Sequence, residues 1–225
     1  MSSMNQTPAH QNHNPELLDL IPTQSKSVIE IGCSSGALAR EYRKINTNCH
    51  YVGIDIDPEY AKMAEPYCNE TFAADIELLP DSFFKERKNC DTWIFGDTLE
   101  HLKDPWVILK KIRENLPSDG CVVACIPNAQ HWSVIARLCS GEFRYEPQGL
   151  LDKTHLRWFT RKTIIELFEA TGYRIESGTP RIFPEQDREQ FLPIIGEMAE
   201  LMGQSAMEAA QDATPLQYVV RARPM

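Results

Sequence analysis

Two glycines and two acids stand at a spacing that could grip a nucleoside. Glu30-Ile31-Gly32-Cys33-Ser34-Ser35-Gly36 follows directly on the apolar run Val28-Ile29, and Asp55 closes the next apolar run 23 residues after Gly32. Glycine lets a backbone turn sharply and approach a ligand closely. A carboxylate at Asp55 can accept hydrogen bonds from both hydroxyls of a ribose. A dinucleotide site wants G-x-G-x-x-G, so that a pyrophosphate rests on the helix N-terminus. Here the pattern is G-x-x-x-G with Ser34 in its middle, and Glu30 stands before it. That extra carboxylate opposes a pyrophosphate and suits an ammonium or a sulfonium. No Lys-Ser or Lys-Thr follows Gly36, which excludes a phosphate-binding P-loop. S-adenosylmethionine, with an adenosine, a cationic sulfur and an amino-acid tail, meets these conditions. The plain alternative is a glycine turn in a fold that binds nothing.

The elements that must carry these residues alternate in type. Val28 to Ile31, Tyr51 to Asp55, Thr71 to Ala74, Asp91 to Phe95 and Cys121 to Ile126 read as strands. Between them lie helical runs from Ala37 to Lys44, Glu59 to Ala64 and Pro105 to Leu116. Short, nearly continuous apolar strands alternating with amphipathic helices predict a doubly wound, mostly parallel α/β sheet covered on both faces. Residues 1–14 read as a flexible tail, and residues 15–225 as a single domain. It opens with a short helix that Asn14 caps and Pro15 begins. Thr160 caps a later helix that stops at Thr171-Gly172, and 184–213 reads as a helical insertion, a lid or a dimer contact. Within it, Pro193 reads as a break near the helix start, as a hinge would be.

Composition narrows the class further. The 225 residues carry 23 basic against 32 acidic side chains, a formal charge of −9. This argues against a partner held by its phosphates, since nucleic-acid binding needs a basic face. No stretch nears the roughly 20 apolar residues of a membrane span, and the polar N-terminus lacks the apolar core of a secretory signal. Seven cysteines, none in a C-x-x-C pair, fit free thiols in a reducing cytoplasm.

With Ala74-Asp75-Ile76 after the third strand and Gly96-Asp97-Thr98-Leu99-Glu100-His101-Leu102 after the fourth, the chain resembles the class I S-adenosylmethionine-dependent methyltransferases over residues 15–180. Ile126-Pro127-Asn128-Ala129-Gln130-His131-Trp132 and Gly149-Leu150-Leu151-Asp152-Lys153-Thr154-His155-Leu156-Arg157-Trp158-Phe159-Thr160 are similar to bacterial methyltransferases associated with glycosyltransferases and surface polysaccharides. The resemblance implies a seven-stranded sheet ending in an antiparallel hairpin, from Tyr173 to Ile182 and Leu216 to Arg223. It implies that Glu30, Gly32, Ser34 and Gly36 shape the pocket for the methionine portion. Asp55 would bind the ribose with Ile56 on the adenine, Asp75 the adenine amino group, and Ile76 a ring face. Gly96 and Asp97 would approach the methionine end. Ser34 departs from the usual glycine, which puts its backbone contact in question.

Methyl transfer is an in-line displacement, so the acceptor must be held beside the donor's methyl carbon. A hydroxyl acceptor gains from a base that removes its proton. His131 and His155 are the candidate bases, with Asp152 as the carboxylate that could orient His155. The segment 127–158 reads as an acceptor-side insertion, in which Tyr145, Arg157, Trp158 and also His101 could contact a saccharide. Each has an ordinary alternative: a capping imidazole, a turn-stabilising histidine, or a core aromatic. Asp97, Glu100 and Asp104 are spread along one loop, which predicts no octahedral Mg²⁺ site. The expected acceptor is a small molecule or saccharide, not nucleic acid: the Asn-Pro-Pro-Tyr signature of base amino methylation is absent, and Ile126-Pro127-Asn128 is not equivalent. A monomer or homodimer is expected. The alternatives are methylation of another metabolite at nitrogen or oxygen, and a fold that keeps the cofactor without turnover.

Overall fold

Apolar runs too short for helices and bounded by polar turns pair into one sheet, whose frame is set by β1 (Ser27–Ile31), β2 (His50–Asp55), β4 (Thr92–Gly96) and β5 (Cys121–Pro127). The computed structural model describes residues 11–225. Almost every side chain of these four strands is buried, which requires cover on both sheet faces. Helices α1 (Pro15–Leu20), α2 (Ala37–Ile45), α3 (Pro58–Ala64), α4 (Asp81–Glu86), α5 (Pro105–Arg113) and α7 (Arg161–Ala170) contribute to that cover. On one face Trp93 and Phe95 of β4 pack with Phe84, Ile108, Ile112 and Phe168. On the other, Val28, Tyr51 and Ile94 pack with Leu17, Leu38 and Tyr42.

With β3 (Glu70–Ala73), β6 (Tyr173–Arg181) and β7 (Gln217–Pro224), the sheet order is β3-β2-β1-β4-β5-β7-β6. All pairings are parallel except those of β7, which runs antiparallel to both β5 and β6. This is the doubly wound, seven-stranded sheet with a terminal hairpin that the sequence predicts. Its order reverses between β1 and β4, and an open α/β sheet binds ligands at the carboxyl ends of the strands flanking such a reversal.

Helix ends fall where capping chemistry predicts. Asn14 accepts from Leu17 N at 3.0 Å, with Pro15 first in α1. Thr160 and Thr163 form a reciprocal capping box at the start of α7. Helix α4 had no expectation set against it, because Asp81–Glu86 spans under two turns and shows no resolvable period. Of the expected tail, residues 1–10 lie outside the described residues, and Asn12, His13 and Asn14 border the cavity described below. Pro193 does not break a helix. It sits inside α8 (Arg188–Leu201), forfeiting one backbone bond while the helix continues. Helix α8 packs on α9 (Ala206–Asp212) and on α6 (Trp132–Cys139), where the Trp132 and Phe191 rings stack 5.2 Å apart.

Candidate active site

A cavity of about 840 Å³ opens over the carboxyl ends of β1, β2 and β4, at the reversal of strand order. A second, apolar groove of about 490 Å³ lies between α7 and the β6–β7 hairpin, away from every residue with candidate chemistry. The larger cavity is strongly electronegative. Glu30, Asp55, Asp75, Glu77, Asp97, Glu100 and Asp152 line it, against Lys103 as the one lysine or arginine among the described residues that border it. Such a wall repels a diphosphate and welcomes a cationic ligand.

Its first half is built by the turn after β1. Gly32 and Gly36 hold φ near +74° and +73°, the left-handed region that glycine enters freely. Space also demands glycine there. A Cβ on Gly32 would lie 2.6 Å from Thr98 Oγ1, and one on Gly36 2.9 Å from Ala64 Cα in α3. Gly36 itself does not border the cavity; it lets the turn pack against α3, while Gly32, Cys33, Ser34 and Ser35 form the wall. Ser34 adopts φ 47°, and its N–H donates to Asp55 Oδ2 at 2.8 Å. Asp55 Oδ1 accepts from Asp57 N at 2.9 Å. Each carboxylate oxygen keeps a further lone pair, so both ribose hydroxyls can still be accommodated. Ile56 is 37% exposed at the rim, a surface that a flat base could cover. Asp75 caps the turn Ile76–Leu78 through Glu77 N and leaves Ile76 buried beneath the same wall.

Glu30 is buried in the cavity wall, 5% exposed. Tyr51 Oη donates to its Oε2 at 2.8 Å. Burial pushes its carboxyl up to about 8, against the pull of that hydrogen bond and helped by the neighbouring Asp55 charge. Glu30 is therefore largely protonated at neutral pH in the free protein, and an incoming cation would favour its ionised form. Burial also raises Asp55, opposed by the backbone N–H groups of Asp57, Ser34 and Ile56. Asp97, at φ 53°, sits where β4 ends, its Oδ1 accepting from Gln217 of β7.

The second half lies past β4. Glu100 and His101 occupy a tight turn at Leu99–His101, and Leu156 N and Arg157 N both donate to the Glu100 carbonyl, at 2.8 and 2.9 Å. These bonds dock the 150–157 loop onto the turn and bring His155 beside His101, ring centroids 4.8 Å apart. His155 Nε2 lies 3.9 Å from Glu100 Oε1. Neither Glu100 oxygen has a hydrogen-bond partner among the described residues, although the side chain is 2% exposed. An unpartnered polar atom at such depth costs about 1–3 kcal/mol, and burial holds its carboxyl well above the usual carboxylate range. His155 is pushed down to about 4 by burial and by His101, so it is neutral at physiological pH.

The structure rearranges the expected catalytic set. His155, Asp152 and His101 border the cavity, and His131 does not. His131 is 1% exposed, with Nδ1 2.8 Å from Ser133 Oγ and Nε2 3.1 Å from Glu185. Trp132 Nε1 donates to the same Glu185 oxygen, so the pair pins the β6–α8 connection. Asp152, expected to orient His155, engages Thr154 and acts on His155 through its charge. Its Oδ1 accepts from Thr154 N and Thr154 Oγ1, at 2.7 and 2.6 Å, and Thr154 Oγ1 lies 3.1 Å from His101 Nδ1. The hydroxyl proton points to Asp152, so Thr154 accepts from His101 Nδ1–H and fixes that tautomer.

Tyr145, Arg157 and Trp158 lie outside the cavity wall. Tyr145 is 65% exposed beside Phe143, Arg157 donates to the Lys103 carbonyl, and Trp158 props His155 edge-on at 5.7 Å. Sequence reasoning missed Gln217 and Thr154, both of which act through contacts far along the chain. Glu100 was visible only as one acid in a dispersed set.

The sequence signature of the family described as "Methyltransferase domain" matches residues 9–177. Among individual proteins, the chain is 28% identical over 97 residues to (S)-coclaurine N-methyltransferase of Papaver somniferum, covering 42% of this chain and 28% of that enzyme. Its fold is similar to the mitomycin 7-O-methyltransferase MmcR, with TM-score 0.57 and 13% identity over 93% of this chain and 52% of that one. It is also similar to magnesium protoporphyrin IX methyltransferase of Synechocystis with bound S-adenosylhomocysteine, with TM-score 0.58 and 13% identity over 93% and 78% of the two chains. The chain thus spans under a third of the plant enzyme and about half of MmcR. The glycine turn, the acid closing β2 and the sheet that joins them at the strand reversal agree with that signature, and the chain belongs to the methyltransferase-domain family.

Proposed function

We propose that this enzyme transfers the methyl group of S-adenosylmethionine to a hydroxyl oxygen of a small, saccharide-type acceptor. One observation carries the reading: a single electronegative cavity joins a nucleoside cradle at Gly32, Asp55 and Asp75 to a histidine-lined wall at His101 and His155. S-adenosylmethionine supplies an electrophilic methyl on a positively charged sulfur. Asp55 would hold its ribose, Ile56 and Ile76 its base, and Glu30 its cationic amino-acid end. Asp97 would border the methionine portion. Transfer then needs an acceptor oxygen about 3–3.5 Å from the methyl carbon.

The acceptor would enter past Gln148–Leu150, against His101 and His155. Neutral imidazole at His155 offers a lone pair to the departing hydroxyl proton. The 127–158 segment serves as the acceptor side because its 148–155 loop closes this wall. Small molecules are the substrates named for the similar plant and mitomycin enzymes, which supports a small acceptor.

Purified protein with methyl-labelled S-adenosylmethionine should label hydroxyl-bearing sugars and glycosides, measured as S-adenosylhomocysteine release with mass-resolved product. Labelling confined to amines would move the reaction to nitrogen, and binding without turnover across the panel would leave a cofactor-binding module.

A further inference from the structure

We propose that Glu100, His101 and His155 form a binding site for a divalent first-row transition-metal ion at the acceptor end of the cavity. One ligand-competent atom from each of the three lies within 4.8 Å of the other two. All three side chains border the cavity, so an ion held by them would present open positions to a bound molecule.

The hydrogen bonding around the cluster prepares a lone pair on each imidazole. His101 Nδ1 faces the Thr154 carbonyl at 3.2 Å and the Thr154 hydroxyl at 3.1 Å. That hydroxyl is itself committed to Asp152 at 2.6 Å, so the imidazole must be the donor and its Nε2 is left as a lone pair. His155 Nδ1 faces the Leu150 carbonyl at 3.3 Å, which likewise leaves Nε2 free, 3.9 Å from Glu100. Imidazoles that ligate metals characteristically donate their other ring N–H to a carbonyl or carboxylate in this way. Between them lies Glu100, 2% exposed, with neither oxygen hydrogen-bonded among the described residues. A buried carboxylate with neither oxygen hydrogen-bonded among the described residues, within 4.8 Å of a ring nitrogen of each imidazole, is an arrangement that a cation satisfies.

The donor set selects the ion. Two imidazoles and one carboxylate suit zinc, cobalt, iron or manganese, whereas magnesium favours oxygen ligands and retained water. Ligand atoms bound at about 2.1 Å in a tetrahedral arrangement lie about 3.4 Å apart, so the widest spacing, 4.8 Å, must contract by about 1.4 Å. Asp97 and Asp152, which also border the cavity, add negative potential. The sequence-based expectation of no metal weighed carboxylates along one loop. The fold instead folds the 150–157 loop back and adds an imidazole from 55 residues away.

The inference rests on the acceptor placement proposed above and deepens it. An acceptor hydroxyl would be held as a ligand of the ion, and His155 would be a ligand in place of the proton acceptor. The test is calorimetric titration of the full chain with Co²⁺, Mn²⁺, Zn²⁺ and Mg²⁺, with the visible absorption of Co²⁺ as an independent readout. One Co²⁺ per chain is expected, with absorption bands of a nitrogen-ligated ion and at least tenfold weaker Mg²⁺ binding. Glu100→Gln should weaken Co²⁺ at least tenfold and His155→Ala at least a hundredfold, with circular dichroism verifying the fold. His50→Ala, on the exposed His50–Glu70 pair, should leave Co²⁺ binding unchanged. No saturable site, or equal affinity in Glu100→Gln with its fold intact, overturns the proposal. S-adenosylhomocysteine titrated into the same samples separates the two readings. Its binding without Co²⁺ removes the metal site alone, and Co²⁺ binding without it removes the methyltransferase reading while the ion site stands.

Discussion

Asp55→Ala is expected to weaken binding of S-adenosylhomocysteine by about 10²–10³-fold while leaving the fold intact. The carboxylate is 4% exposed at the end of β2, and its oxygens already fix Ser34 N and Asp57 N. It thereby holds the glycine turn against β2 and offers its remaining lone pairs to the two ribose hydroxyls. Hydrogen bonds to a charged group contribute about 1.5–3 kcal/mol each, so losing two costs a few kcal/mol of affinity. Asp55→Asn keeps one acceptor and should lose less. Calorimetry on both variants, with circular dichroism as the check on folding, reads the result. A dissociation constant within threefold of the wild type would place the ribose elsewhere.

Glu30→Gln is expected to raise stability in a pH-dependent way and to weaken donor binding by at least tenfold. The folded carboxyl titrates near 8 against an ordinary value of 4.5, because it is buried. Below about pH 4.5 it is protonated whether folded or not, and the charge costs nothing. As pH rises from 4.5 to 8 the unfolded chain sheds this proton more readily than the folded one, so wild-type stability declines through that window. Glutamine keeps the Tyr51 hydrogen bond and carries no charge. Each pKa unit corresponds to about 1.4 kcal/mol, and a domain of this size shifts about 2–4 °C per kcal/mol. The variant's melting temperature should therefore exceed the wild type's by little at pH 5 and by roughly 10–20 °C at pH 8.5. An equal gain at both pH values would mean that Glu30 is not buried as a protonated acid. The loss of affinity follows from removing the group that an ammonium or sulfonium would ionise.

The turn and the acid proposed to hold the nucleoside were readable as one local unit because their signals are local. Gly32 and Gly36 need positive φ within one turn, Glu30 is two residues from Gly32, and Asp55 is fixed by the end of the next strand. The parallel order of β1, β2, β4 and β5 follows from the same alternation. The acceptor half depends on which loops fold back, and spacing carries little of that. His131 follows β5 closely, yet Glu185, 54 residues later, turns its ring away from the cavity. Asp152 and His155 are neighbours in the chain, but the turn between them sends the carboxylate to Thr154, and so to His101. Glu100 looked like one of several dispersed acids, because only the docking of Leu156 and Arg157 on its carbonyl brings His155 to its side chain. Tyr145 and Trp158 were aromatic residues at suggestive positions, and the first is exposed while the second buttresses His155. Pro193 shows the limit of a local rule: α8, anchored through Phe191 on Trp132, absorbs one missing bond.

The central claim is that the cavity at the β1–β4 reversal accepts a sulfonium nucleoside and rejects a dinucleotide. Isothermal titration of the purified chain with S-adenosylmethionine, and separately with NAD, tests it most directly. Saturable one-to-one association with S-adenosylmethionine and no heat from NAD is the predicted outcome. Association with NAD and none with S-adenosylmethionine would contradict the account.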